Sequence, residues 1–553
     1  MTEKVALVWP EIWLFITTCV VMVVGLSPDE RVRKLCSWIC GLGLIVAIGT
    51  AAAAPTAGDP NAAGLFPSLT PYMKALIGIV GLLLLPLLAG TVDRDLDAAI
   101  RAGKMKFDAI RTNRAEFYAF FLFSLTGLML CASADDLIWL FLALELTSLP
   151  TYIMVTISTR GTRSQEAGVK YFFLGALGAA VFLYGFAMLY GASGSTDLVE
   201  IAGAFRAQAA SEAGLNPIAI AGLAISLIGL CFKIAAVPMH MYAADVYQGA
   251  ASGVSAMLAF VPKAAGFIAI MMICGTVGWA YGGSESALPR PIYVLLWIVA
   301  ASTMFAGNVL AIRQTSVKRM LAYSSIAHSG YMLVGIIAGP GSGDGTFWDN
   351  GLAAVLFYLL TYGVTNVGTF AVLASIQRVN ADGSTQEADE IDDIRGLHRT
   401  RPHLAGAMLL CVLSLLGLPP LLGFFGKVGL FTSAISAGEI PLVIILGVNS
   451  AIAAFYYLRI VRAAYLEAPD EDAPETRPTG IQPRVAAAMI SAGAVVALLA
   501  VTQPLIVNST GAALYERPPE GVAQTPGAPV PAPDRNGPTA KDADPIELTR
   551  AAD

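Results

Sequence analysis

The chain has 553 residues, of which 56% are hydrophobic and only 13% charged, with a net charge of −6. Soluble domains carry about 25% charged residues, so a conventional soluble enzyme and a disordered chain are both excluded, and a mean hydropathy of +0.67 agrees. The acidic balance leaves no basic face for nucleic acid, and the seven cysteines are scattered in a way that suggests neither a disulfide frame nor a thiolate cluster. What remains is an all-α polytopic membrane protein.

A crossing takes about 20 apolar residues. Fourteen candidate stretches follow one another at 7–26, 35–54, 71–90, 115–132, 136–157, 168–191, 217–250, 251–277, 291–312, 320–338, 350–376, 404–437, 440–462 and 484–508. Glu11 interrupts the first, which reads as an anchor and not as a cleaved signal. Three spans and a charged loop fill 1–114. Two five-span units occupy 115–277 and 291–466, a last span lies at 484–508, and a Pro/Ala/Gly-rich tail at 516–553 reads as disordered. The loop from Arg94 to Arg114, with its alternating charges, reads as a solvated amphipathic helix or a docking segment. Asp135 and Asp136 are expected to cap the helix that opens at 136.

Basic residues fix the orientation. Loops after odd-numbered spans hold 23 lysines and arginines, from Arg31, Arg33 and Lys34 to Arg477 and Arg484, whereas loops after even-numbered spans hold Arg206 and Arg290 alone. The first set faces the cytoplasm, and both termini lie on the outer side. Lys74, at the entrance of the third span, is expected to snorkel.

Three lysines have no water in obvious reach. Lys233 falls at the middle of 217–250, Lys263 at the middle of 251–277, and Lys427 just past the middle of 404–437. Glu145 and His328 lie at the centres of two further spans. A charge at that depth costs roughly 2.5–3.5 kcal/mol on insertion scales, so each group should face protein, water or a partner. Lysine suits a relay because desolvation and a neighbouring carboxylate tune its hold on the proton. Arginine, which keeps its proton, is missing from the row. The five together point to a proton path, with a set of structural ion pairs as the plainer alternative.

The two longest stretches contain helix breakers. Pro238 follows Lys233, while Pro419, Pro420, Gly423 and Gly426 precede Lys427. Proline breaks a helix, and broken backbone at membrane depth survives only where protein or a wet cavity surrounds it. Each broken stretch is fourth of five in its unit, and an odd number of spans inverts the second unit relative to the first. Paired interrupted segments of this kind mark transporter repeats. On that counting Glu145 corresponds to His328, and Lys233 to Lys427.

His240, seven residues after Lys233, either relays protons toward the cytoplasm or satisfies carbonyls freed by the break. Lys170 is either a surface lysine or an inner relay, and Asp245 is expected to cap or pin the second half of the broken helix. The glycine run at 339–345 lacks the strand–helix setting of a phosphate loop. No metal-ligand spacing, nucleophile elbow or dinucleotide fingerprint appears.

Four stretches carry a resemblance: QTSVKRMLAYSSIAHSGYMLVG at 314–335, PMHMYAADVYQGA at 238–250, VPKAAGF at 261–267 and LPPLLGFFGKVGLF at 418–431. Together they resemble the antiporter-like membrane subunits of respiratory complex I, the bacterial proton-translocating NADH–quinone oxidoreductase, over roughly 115–466. Tyr242-Ala243-Ala244-Asp245 departs from the family's usual tryptophan-threonine-proline-aspartate run. The resemblance implies that Glu145 and Lys233 form a modulating pair, that Lys263 is a connecting site aided by His328, and that Lys427 is the terminal site toward the outer half-channel. It implies a multi-pass subunit of a bacterial inner membrane, packed against other membrane subunits and lipid. No cofactor is expected in this chain, with FMN, iron–sulfur clusters and quinone in other subunits. Separation of Glu145 from Lys233 would release the lysine's proton. The rival readings are a subunit of a multi-subunit sodium/proton antiporter and a scaffold whose buried charges only hold helices together.

Overall fold

A computed structural model of the protein describes residues 7–52, 64–159, 161–279, 288–341, 346–380, 383–468 and 475–516. The tail beyond 516, most of the glycine run at 339–345, and Arg160 lie outside the described residues. The chain opens with α1 (Trp9–Gly25), α2 (Glu30–Ala51) and α3 (Leu69–Leu88). A short α4 (Arg94–Arg101) precedes the first unit: α5 (Arg114–Ala132), α6 (Leu137–Ile157), α7 (Thr162–Ser193), a surface helix α8 (Leu198–Ala209), the interrupted pair α9 (Pro217–Lys233) and α10 (Ala243–Gly249), and α11 (Ser252–Gly275). The second unit holds α12 (Arg290–Ile312), α13 (Val317–Ala338), α14 (Gly351–Ala374), a single turn α15 (Leu397–Thr400), the interrupted pair α16 (Pro402–Leu416) and α17 (Leu422–Ser436), and α18 (Ile440–Tyr465). Two helices, α19 (Gln482–Ala497) and α20 (Thr502–Ala512), make the last span.

Eleven helices among the described residues are long and apolar enough to cross a membrane. The 17-residue α1 and the two interrupted pairs bring the count to the fourteen expected. Their starts are written in the local sequence. Asp136 accepts from the N–H groups of Ile138 and Trp139, Asn216 from Ile218 and Ser316 from Arg319, meeting donors that have no partner inside a helix. α11 and α14 are buried along their whole length, so they form the axis around which the other helices pack. A helix that is apolar on all sides fits such a place.

The loops that carry the arginines and lysines gather on one face, here called the basic face. They are more ordered than their charge suggests. The loop after α3 is tied down by Asp97, which takes Arg33 at 2.5 Å and Arg114 at 2.6 Å, and by Asp93, which accepts from Thr112 Oγ1 and the backbone of Asn113 and Arg114. A three-stranded antiparallel sheet, absent from the sequence reading, also lies here: β1 (Ile376–Val379) sits between β2 (Thr385–Glu387) and β3 (Thr476–Pro478). Its strands are too short for an alternating pattern to register. β2 delivers Glu387 to Ser252 N, Lys318 and Arg484, which clamps α11, α13 and α19 together.

Candidate functional site

α9 ends on Lys233, and the backbone then leaves the helix until Ala243. Polar side chains meet the groups the break frees. Tyr242 Oη donates to Phe232 O at 2.8 Å, Ser329 Oγ to Ile234 O at 2.6 Å, and Val237 N donates to Thr303 Oγ1 at 3.0 Å. The second break, at 417–421, is turned by Gly417 at φ 83°, where a Cβ would run into the Lys427 stem. Each break contains a cis X–Pro bond, Val237–Pro238 and Pro419–Pro420.

The four basic groups of the row are buried in protein, at 1% exposure for Lys233, Lys263 and His328 and 5% for Lys427. None points into lipid. Lys233 Nζ donates to Ser148 Oγ at 2.6 Å, Glu145 Oε1 at 3.0 Å and Leu144 O at 3.2 Å, which uses all three of its protons. The Phe182 ring lies 5.4 Å away. Glu145 is half-buried, and because α6 carries Ser148 one turn later, both oxygens face the same ammonium.

Lys263, from α11, donates to the carbonyl of Ser325 and to Ser329 Oγ at 2.7 Å. Among the described residues no carboxylate pairs with it. Ser329 thereby joins two elements: its hydroxyl accepts from Lys263 and donates to Ile234, the residue after Lys233. His328, on the same helix, is held at both ring nitrogens, Nδ1 with Tyr358 Oη at 2.6 Å and Nε2 with Tyr457 Oη at 2.8 Å. Lys427 donates to Leu416 O, the last residue of α16, at 2.7 Å, under the Tyr331 ring at 5.2 Å.

A family model for the membrane part of NADH:quinone oxidoreductase and Mrp antiporters matches residues 134–453. The NADH-quinone oxidoreductase subunit N 2 of Symbiobacterium thermophilum is 39% identical over 402 residues, 72% of this chain and 75% of that one. Subunit N of Nitrosomonas europaea is 35% identical over 468 residues, 84% of this chain and 89% of that one. The chain belongs to the NADH-quinone oxidoreductase subunit N family. A chain of respiratory complex I from Thermus thermophilus with bound aureothin superposes with TM-score 0.69 at 31% identity, covering 90% of this chain and 98% of that one. A chain of the Mrp complex from a Dietzia species superposes at TM-score 0.70 but 20% identity, over 92% and 97% of the two chains, a likeness of fold alone.

In this member of the subunit N family the interior row and the two breaks lie where the sequence places them, but two expectations change. Lys233 and Lys427 are not equivalent within their units, since Lys233 closes the half-helix before its break and Lys427 stands in the half-helix after it. Lys74 does not snorkel. It is fully buried and paired with Glu11 at 2.8 Å, because Glu11 of α1 reaches the start of α3. Lys170, read either as a surface lysine or as an inner relay, is not brought to Glu145 or Lys233. It lies half-exposed on the basic face, bound to Glu166 at 2.7 Å and Asp245 at 2.9 Å.

Asp245 pins α10 through Lys170 and also through Arg319 at 2.6 Å. Lys170 and Asp245 border a cleft of about 140 Å³ lined also by Arg163, Glu166, Ala167 and Gln248. His240 lies in the first break, half-buried. Sequence reading missed the hydroxyl partners of the row: Ser148, Ser329, Tyr358 and Tyr457. The cluster SSIAHSG and the tyrosine pair 358 and 362, four apart in an apolar run, are the signals that could have found them.

Proposed function

We propose that this chain carries protons across the membrane within an NADH-quinone oxidoreductase, by way of Glu145, Lys233, Lys263, His328 and Lys427. The observation that carries the reading is Ser329, whose hydroxyl links the end of α9 to Lys263. It brings the Lys263 ammonium to the backbone carbonyl of the residue after Lys233, so that α9, α11 and α13 meet at one hydrogen-bonded junction between the two lysines. Lys233 holds its proton while Glu145 faces it. When the carboxylate draws away, an uncompensated ammonium remains in a low-dielectric interior, which is costly, and its proton passes to the neutral members of the row. Lys427 is the terminal site, from which the proton leaves.

The basic face is the cytoplasmic one by the distribution of lysine and arginine, which sets both termini on the outer side of a bacterial inner membrane. Intake is through the cleft at Lys170 and Asp245, with His240 in the first break as a second intake group. The five-helix units 115–277 and 291–466 are the two arms of the path, and 1–114 and 484–508 brace them. NADH oxidation and quinone reduction, with FMN and iron–sulfur clusters, belong to companion subunits. Other membrane subunits of the same complex flank this chain.

The test is Lys233→Ala and, separately, Glu145→Ala in the assembled complex reconstituted in vesicles. Both are expected to abolish NADH-driven acidification and to slow coupled oxidoreduction. Vesicles that acidify normally with both variants would end the proposal.

A further inference from the structure

His328 sits in a cage of four tyrosines. The rings of Tyr331, Tyr358, Tyr362 and Tyr457 have centroids 5.4, 5.7, 5.1 and 6.5 Å from the imidazole. Two of the four engage its nitrogens through their hydroxyls, Tyr358 at Nδ1 and Tyr457 at Nε2. Tyr457 Oη is hydrogen-bonded in turn to Ser324 Oγ. Four groups therefore form one continuous chain, Ser324, Tyr457, His328 and Tyr358, drawn from α13, α18 and α14. All four are buried, and each can both give and accept a proton.

The two ends of this chain differ. Ser324 precedes Ser325, whose carbonyl holds Lys263. At the other end Tyr358 lies against Gly426, the residue before Lys427, where a Cβ would collide with the phenol ring. Glycine at 426 is what lets Tyr358 come so close to the helix of the terminal lysine. The fourth tyrosine, Tyr362, has its ring 6.0 Å from Lys263 Nζ, and its buried hydroxyl has no partner among the described residues. Packing alone would be served by phenylalanine at these positions; hydroxyls aimed at both nitrogens of one imidazole would not be needed.

We infer that Tyr358 and Tyr457 are proton-carrying residues that load and unload His328, joining the Lys263 side of the path to the Lys427 side. This rests on the relay reading above. A neutral imidazole has one N–H and one bare nitrogen. The Tyr457 hydroxyl gives its proton to bare Nε2 as it takes one from Ser324, which is resupplied by the Lys263 ammonium, and Nδ1 releases its proton to Tyr358 Oη, whose own proton goes to the neutral amine of Lys427. One proton crosses, no bond between heavy atoms forms or breaks, and the imidazole is left as the other tautomer. Rotation of the hydroxyls and of the imidazole about its Cβ–Cγ bond resets the chain, since return of the proton along the same hydrogen bonds would undo the transfer.

The experiment uses the assembled complex in vesicles, with Tyr358→Phe and Tyr457→Phe, which keep the rings and remove only the hydroxyls. NADH oxidation by a water-soluble acceptor should match wild type, and NADH-driven acidification should fall at least about tenfold, since one positioned proton-transfer group contributes roughly 10²–10⁴-fold. 3-Fluorotyrosine at position 358, a more acidic phenol, should keep acidification while moving its pH profile, which a packing role would leave in place. Lys233→Met and Lys263→Met run beside them. If these lysine variants stop acidification while both phenylalanine variants acidify normally, or if the fluorotyrosine profile does not move, this inference alone is overturned. If the lysine variants also acidify normally, the relay reading falls and this inference with it.

Discussion

Lys427 reaches back across the 417–421 break to the carbonyl of Leu416, 2.7 Å from its ammonium. Lys233 is the last residue of the half-helix α9, before the other break. The Lys427 cation thus stands at the carbonyl end of a half-helix, where unpaired C=O groups and the helix dipole favour positive charge, whereas the Lys233 ammonium turns away to Leu144 O, Glu145 and Ser148 on α6. The two lysines are alike in standing beside a break, though not in position or in partners. Lys427→Arg separates anchoring from proton transfer. Arginine can hold the α16 carbonyls but does not release its proton, so the complex should assemble, seen as an intact band in a native gel, and fail to acidify vesicles. An arginine variant that acidifies normally would make Lys427 an electrostatic anchor only.

The pairing of Lys233 is less simple than a lysine on a carboxylate. Its shortest bond is to Ser148 Oγ at 2.6 Å, with Glu145 at 3.0 Å, and Ser148 Oγ in turn donates to Leu144 O at 3.0 Å. Ser148→Ala would strand one N–H of a buried ammonium, at a cost of about 1–3 kcal/mol. A thermal-unfolding series should rank Ser148→Ala as milder than Glu145→Gln, which removes the counter-charge itself. A larger loss for the serine variant would mean that the carboxylate contributes little to holding Lys233.

Much of this was legible in the chain. Lysines at 233, 263 and 427 stand out because charge in an apolar run is costly and therefore rare, and Pro238, Pro419 and Pro420 announce the breaks by removing backbone donors. What stayed hidden depends on which helix packs on which. Serine and tyrosine are ordinary residues in a membrane helix, so nothing in the order of residues says that Tyr457 reaches His328 from 129 positions away. The same holds for Glu11 and Lys74, 63 apart. Lys74 looks like a surface lysine until Glu11 of α1 is placed beside it. The equivalence of Lys233 with Lys427 failed for a different reason: hydropathy shows that a stretch is interrupted but not on which side of the break the charge falls.

Glu387 carries a pH dependence of its own on the basic face. Burial pushes its carboxyl up, but the Lys318 ammonium, the Arg484 guanidinium and the Ser252 N–H outweigh this and hold it at about 2 against an ordinary 4.5. A carboxyl held lower in the folded state stabilises that state fully above its ordinary range, and the contribution fades as pH falls from near 4.5 toward 2. Roughly 3 kcal/mol is at stake. Unfolding of the detergent-solubilised protein should therefore turn steeper below about pH 4.5, and Glu387→Gln should be less stable at neutral pH and flatter in acid. Parallel pH curves for the two proteins would remove Glu387 from this role.

Glu11 and Lys74 test whether a buried pair outside the row is only architecture. Lys74 Nζ contacts Glu11 Oε1 at 2.8 Å and donates to Leu7 O at 2.5 Å, and it is fully enclosed. The pair fixes α1 to the start of α3. Removing one partner leaves a charge buried without compensation, a loss of about 3–5 kcal/mol, whereas replacing both with apolar groups of similar volume is often neutral. Glu11→Leu and Lys74→Met alone should each lower the unfolding temperature and the yield of assembled complex, and the double variant should recover both. Acidification by the double variant should match wild type, because neither residue is connected to the row through Lys233, Lys263, His328 and Lys427. A double variant that folds and assembles yet fails to acidify would show that the proton path extends to the first helix, and the boundary drawn around the row would have to move.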